Sequence, residues 1–245
     1  MKFVARTDIG KRRRYNEDCY LIDDKIALFV IADGMGGHNA GDVASQLAVD
    51  VFREWTESSS TTDLFVSEKT TIVDTIDQLV VDANTRIYTE SKMSPTHHGM
   101  GTTLIAGICQ DNLISYVHIG DSRIYLIRQG SITQITIDHS HVQEMVDNGI
   151  ITVEEARVHQ NRHIINRAVG LNQTVVADTD QLEILTDDIL LVCTDGLHDM
   201  IASDQEIAEL IISAPDLESA GEILTDTALA YGGSDNITLI LIQIT

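Results

Sequence analysis

Three segments of this 245-residue chain are apolar at almost every position: 26–32 (IALFVIA), 189–194 (ILLVCT) and 237–244 (ITLILIQI). A strand with one wet face alternates polar and apolar residues, so a strand that is apolar throughout must be covered on both faces. Such strands belong inside a layered structure. The longest purely apolar run, 26–32, is seven residues, far short of the roughly 20 needed to cross a bilayer as a helix.

The covering layers are legible as helical stripes. Val43, Leu47, Val51 and Trp55 recur at four-residue spacing, and Ile72, Ile76, Val80 and Ile87 do so more loosely. Strands are expected at 19–22 and 25–32. Runs at 102–108, 113–119, 123–128 and 131–135, separated by turn residues, read as an antiparallel meander. A polar helical stretch at 139–159, broken by Gly149, precedes further strands at 181–185, 189–193 and 237–244. Two late helices are expected at 204–213 and 217–231. Clustered strands with helices grouped before and after argue for an α+β layered sandwich over alternating βαβ units.

Only two prolines occur, and neither a repeat nor a low-complexity tract divides the chain. The most linker-like piece, 57–63 (ESSSTTD), joins two helices, so residues 1–245 read as one domain. The first eight residues lack the apolar stretch of a signal peptide. Cys19, Cys109 and Cys193 are too far apart for metal-ligand spacing and read as buried free thiols. Both features suit the cytoplasm.

The net charge of −22 makes nucleic acid and anionic membranes poor partners for most of the surface. Six of the sixteen basic residues nevertheless lie in the first fourteen positions, with Lys11, Arg12, Arg13 and Arg14 consecutive. That cluster reads as a local anion site, with a solvated loop or a nucleic-acid tract as the competing views.

Each long apolar run abuts an aspartate. The first ends in Asp33-Gly34-Met35-Gly36-Gly37-His38, and the second in Asp195-Gly196-Leu197. The third begins after Gly232-Gly233-Ser234-Asp235-Asn236. A carboxylate at the tip of a buried strand is costly unless compensated. Three such tips suit hard divalent cations, which take carboxylate, carbonyl and water oxygens. A single Asp-Gly is ordinarily a turn or helix cap. Three in one context, with Asn16-Glu17-Asp18 behind the arginines, point to a magnesium or manganese site acting on phosphate.

The motifs then run in a recognisable order. Thr7-Asp8-Ile9-Gly10, Arg13 and Asn16-Glu17-Asp18 come first, followed by Asp33-Gly34-Met35-Gly36-Gly37 and Met100-Gly101-Thr102-Thr103. Gly120-Asp121-Ser122-Arg123, Asp138-His139-Ser140, Thr194-Asp195-Gly196-Leu197 and Gly233-Ser234-Asp235-Asn236 follow. Across nearly its whole length the chain resembles the type 2C, or PPM, protein phosphatases, of bacterial type. The resemblance implies a four-layer αββα sandwich, two packed antiparallel sheets flanked by helices. It implies two or three Mn2+ or Mg2+ ions and hydrolysis of phosphoserine and phosphothreonine on proteins by a hydroxide bridging two metals. By motif position, Asp33 would bridge the ions and Asp195 and Asp235 would complete the first. Glu17 and the Gly34 carbonyl would serve the second, with Asp18 acting directly or through water. Asp121 with Asp195 matches a third, weaker position, and Arg13 matches the phosphate-holding residue.

Some members carry a histidine two residues after the bridging aspartate, where this chain has Met35. His38 is the nearest substitute as general acid, with a locally packed loop histidine as the alternative. His139 reads as structural. Residues 142–163 occupy the place of the family's variable flap. The resemblance implies phosphoprotein substrates and a cognate serine/threonine kinase, and a monomer is expected. A hydrolase of small phosphate esters would use the same metal centre and is the alternative.

Overall fold

The apolar runs become strands buried on both faces in a computed structural model of the chain, which describes residues 1–36, 40–58 and 71–245. Strands β1 (Lys2–Asp8), β2 (Asp18–Asp23) and β3 (Leu28–Met35) lead into helices α1 (Gly41–Ser58) and α2 (Ile72–Met93). After a 3-10 turn at Pro95–His97 come β4 (Gly101–Thr102), β5 (Leu104–Gln110), β6 (Leu113–Ile119), β7 (Arg123–Arg128) and β8 (Ser131–Gln134). Helices α3 (His141–Asp147) and α4 (Val153–Arg157) precede β9 (Asp178–Glu183) and β10 (Ile189–Cys193). The chain closes with α5 (Asp195–His198), α6 (Asp204–Ser213), α7 (Leu217–Ala230) and β11 (Ile237–Gln243).

One sheet has the order β1-β11-β10-β7-β8, and the other β2-β3-β5-β6-β9 with β4 beside β3. Every pairing is antiparallel. Along β3, Leu28, Val30 and Ala32 face α1 and α2 and pack with Val49, Phe52, Ile76 and Val80. The intervening Phe29 and Ile31 face the other sheet and meet Val192, Ile240 and Ile242. Strand β10 divides the same way: Leu190 and Val192 enter the seam between sheets, while Leu191 and Cys193 pack with Ile207 and Leu224 of α6 and α7. The period-2 alternation of strand side chains therefore explains why both sets are apolar. The result is the four-layer αββα sandwich of the α+β class.

Four expectations need correction. Strand β1 was not expected, yet it pairs along its length with β11. The expected four-strand meander is split, because β5 and β6 lie in one sheet and β7 and β8 in the other. The chain changes sheets at Gly120-Asp121-Ser122, where Gly120 adopts φ +109°. Asp33 and Gly34 stand inside β3, held there by pairing of Gly34 with Thr102 of β4. The polar stretch does break around Gly149, as expected, into two short helices capped by Ser140 and Thr152. All three cysteines are free, but only Cys109 and Cys193 are buried as expected; Cys19 is half-buried. His38 lies outside the described residues.

Candidate metal centre and phosphate cleft

Both sheets contribute acidic residues to one end of the seam. Asp33 of β3 stands opposite Asp18 of β2 in register. Asp195 opens α5 directly after β10, and Asp235 ends the loop before β11. Asp121 arrives on the sheet-to-sheet crossing. Together Arg13, Glu17, Asp33, Gly34, Asp121, Asp195 and Asp235 line a single cleft of about 500 Å³. Asp18 lies beneath it, its carboxylate accepting a hydrogen bond from the Thr194 hydroxyl at 3.0 Å across the sheets. The sequence-expected residues that the structure describes thus converge.

Backbone contacts fix the acidic groups. The Asp33 N–H donates to Thr103 Oγ1 at 3.0 Å, and the Thr103 N–H returns to the Asp33 carbonyl at 2.8 Å. The Gly34 N–H donates to the Glu17 carbonyl at 3.0 Å. A Cβ on Gly34 would collide with the Gly41 carbonyl, so only glycine permits this approach. At the crossing, His139 holds Gly120 on both sides: Gly120 N–H donates to Nδ1 at 3.1 Å, and the His139 N–H donates to the Gly120 carbonyl at 2.7 Å. Asn236 binds three loop positions at once. It accepts from the Glu17 N–H at 2.8 Å and donates to the Ile9 and Tyr15 carbonyls at 2.9 and 3.0 Å.

The electrostatics call for added positive charge. Burial, then repulsion from neighbouring aspartates, pushes Asp33 well above the usual carboxylate range. Burial and Asp235 raise Asp195 to about 8, burial and Asp195 raise Asp121 to about 8, and burial raises Asp18 to about 7. One oxygen each of Asp18 and Asp195 is buried without a hydrogen-bond partner. Asp199 shows what a cationic partner changes: burial opposes ionisation there too, yet His198 and nearby arginines hold it at about 2. An all-oxygen donor set, buried and short of positive charge, fits hard divalent cations and not zinc.

Arg13 sits at the cleft with its guanidinium on two of these carboxylates, Asp235 at 2.6 Å and Glu17 at 3.5 Å. Sequence reasoning assigned no role to Asn236, Thr103 or Thr194, although all three stand in the quoted motifs. It named His163 only as the end of the flap and Ser234 only within a motif, and it passed over Ile165; all three line the cleft. Among the described residues, His163, Asp195 and Asp199 bring ligand atoms within 4.8 Å of one another.

Residues 11–225 match the family described as Protein phosphatase 2C. The chain is 38% identical over 244 residues to the serine/threonine phosphatase stp of Listeria innocua, covering 97% of this chain and 94% of that protein. The crystal structure of the Mycobacterium tuberculosis serine/threonine phosphatase PstP/Ppp is similar with a TM-score of 0.88 and 38% identity, over 99% of this chain and 98% of that one. The catalytic domain of PstP in complex with two manganese ions is similar with a TM-score of 0.85 and 37% identity, covering 98% and 96% respectively.

Proposed function

The chain belongs to the protein phosphatase 2C family and is a metal-dependent serine/threonine protein phosphatase that uses Mn2+ or Mg2+, and from that premise we propose which of its residues do the work. Asp33, Asp195 and Asp235 would hold one ion. Asp33, Glu17 and the Gly34 carbonyl would hold a second, with Asp18 behind them, and Asp121 with Asp195 would hold a third. When bound, the ions supply charge to the phosphoryl oxygens and lower the pKa of water towards neutrality, so that hydroxide is available to attack phosphorus.

The chain's own residues do the positioning. Arg13 donates its fork of N–H groups to the phosphate oxygens and stays charged at any working pH. It can exchange Asp235 and Glu17 for substrate because those carboxylates then serve the ions. Thr103, Thr194 and Asn236 hold the acidic groups and their loops in place. His38 is our candidate for protonating the leaving alkoxide, on the strength of its place five residues after Asp33.

Residues 1–245 act as one domain whose 142–163 flap borders the cleft; His163 at its end lines that cleft. The protein works as a monomer in the cytoplasm against a cognate serine/threonine kinase. Three free cysteines support a reducing compartment, and among the described residues no helix is long and apolar enough to cross a membrane.

The observation that carries the assignment is the convergence of Asp33, Asp121, Asp195 and Asp235 with Arg13 on one cleft. Asp33→Asn should abolish phosphopeptide turnover while leaving the circular dichroism spectrum intact. Chelation should remove wild-type activity and Mn2+ should restore it. Turnover that persists after thorough chelation would refute the site.

A further inference from the structure

Nine of the eleven arginines are ion-paired with carboxylates, as an acidic chain would lead one to expect. The other two, Arg12 and Arg14, have no ion pair among the described residues, and they flank Arg13. Lys11 precedes them, also exposed and also without an ion pair among the described residues. Of these four consecutive cations, Arg13 lines the cleft and is paired, and its three neighbours on the same turn are exposed.

The turn that carries them is anchored. Gly10 adopts φ +75°, and its N–H donates to Asp8 Oδ1 at 2.7 Å. The Lys11 N–H donates to the Gly233 carbonyl at 2.7 Å, beside the cleft-lining Ser234 and Asp235. Asn236 brackets the turn at both ends through the Ile9 and Tyr15 carbonyls. Its cations are thus presented at a fixed place on the rim. Elsewhere a net charge of −22 repels an acidic partner, so this turn would both attract such a partner and orient it.

We propose that residues 11–14 dock an acidic stretch beside the phosphorylated residue, with Lys11, Arg12 and Arg14 meeting Asp or Glu side chains while Arg13 takes the phosphate. The proposal rests on the phosphatase reading above and adds the substrate class.

The test uses phosphothreonine peptides of equal length whose flanks are acidic, neutral or basic. The ratio of kcat/KM between the acidic and neutral peptides is read on one enzyme preparation, so differences in active fraction cancel. An exposed charge pair contributes a factor of about 1.4 to 5, so three should give a ratio of about ten at low ionic strength. High salt should bring the ratio towards one. Combining Lys11→Ala, Arg12→Ala and Arg14→Ala should do the same at low salt, and single Arg12→Glu or Arg14→Glu variants should lower it in part. A wild-type ratio of one, or a ratio that survives these substitutions, overturns the proposal. RNA inhibition abolished by the triple variant, with a peptide ratio of one, would reassign the turn to nucleic acid. Hydrolysis of no peptide in any arm would instead sink the phosphatase reading itself.

Discussion

Stripping the divalent ions should make the stability of this protein fall as pH rises from 7 to 8, and returning Mn2+ should remove that slope. In the fold, Asp121 and Asp195 keep their protons up to about 8, against an ordinary value of 3.8. The folded chain therefore binds more protons than the unfolded one between those values. Linkage makes that contribution fully present below the ordinary carboxylate range and lost as pH rises through about 8. Between pH 7 and 8 each of these carboxyls is protonated roughly 0.7 of the time. At about 1.4 kcal/mol per pH unit, two of them give a loss of about 2 kcal/mol. For a chain of this length that is roughly 4–8 °C in Tm. His118, which burial keeps neutral down to about 4, has the opposite sign. Its unfolded form sheds most of its proton below pH 7, so the chosen window excludes it. Melting curves in chelator at pH 7 and 8, paired with curves in saturating Mn2+, measure the slope. Asp33 and Asp18, also raised by burial, add to the same loss, so Asp121→Asn should shrink the slope without abolishing it. A Tm of the stripped protein that is flat or rising with pH, or a slope indifferent to Asp121→Asn, would refute the account of an acidic cluster awaiting cations.

Arg13→Ala should raise KM for phosphopeptide well beyond its effect on Mn2+ half-saturation; an unchanged KM would count against phosphate binding by this arginine. Asp138→Ala should cost about 3–5 kcal/mol, because it strands a buried guanidinium. Arg123 Nε donates to both Asp138 oxygens at 2.9 and 3.1 Å and Nη2 donates at 2.6 Å, and thermal melts would register the loss. Asn236→Ala should weaken Mn2+ half-saturation by about 10-fold or more, as losses of groups that orient ligands do, while most of kcat returns at high metal. Equal Mn2+ titrations for wild type and variant would remove Asn236 from the set of positioning residues.

How much of this was legible depended on how strongly each residue's burial shows in its neighbours. The buried strands announced themselves because both faces of β3, β10 and β11 are covered, leaving long apolar runs broken only by Asp33 near the end of β3 and by Thr238 and Gln243 in β11. Strand β1 stayed hidden because it is an edge strand in which only Val4 is buried, so Lys2, Arg6 and Asp8 interrupt its pattern. The split of the expected meander was invisible for the opposite reason. Strands apolar on both faces look alike whichever sheet they join, and Gly120-Asp121-Ser122 reads as an ordinary turn. Asp33 was placed past the end of its strand because a charge normally ends an apolar run. Pairing with β4 through Gly34 carries the strand on. The acidic residues that converge on the cleft stood out in the sequence because aspartates are conspicuous beside apolar runs. Asn236 and Thr194 were not assigned roles, because their work consists of hydrogen bonds to segments roughly 180 to 220 positions away.

The division of the cleft between two sheets explains why its parts are held so differently. Asp18 and Asp33 ride on one sheet, and Asp195 and Asp235 on the other. Their separation is therefore set by how the sheets pack. Phe29, Ile31, Val192, Ile240 and Ile242 fill that seam with no exposed surface, and close-packed interiors transmit small displacements instead of absorbing them. Two ions sharing a carboxylate tolerate little variation in spacing, about 3.5–4 Å between centres. A rigid apolar seam can hold such a tolerance, whereas a set of surface loops could not. Arg13, by contrast, is exposed and paired with Asp235, and it is carried on a turn anchored through hydrogen bonds from Asn236. The packed core fixes where charge accumulates, and in our proposal the hydrogen-bonded rim lets that one guanidinium exchange a carboxylate for a phosphate.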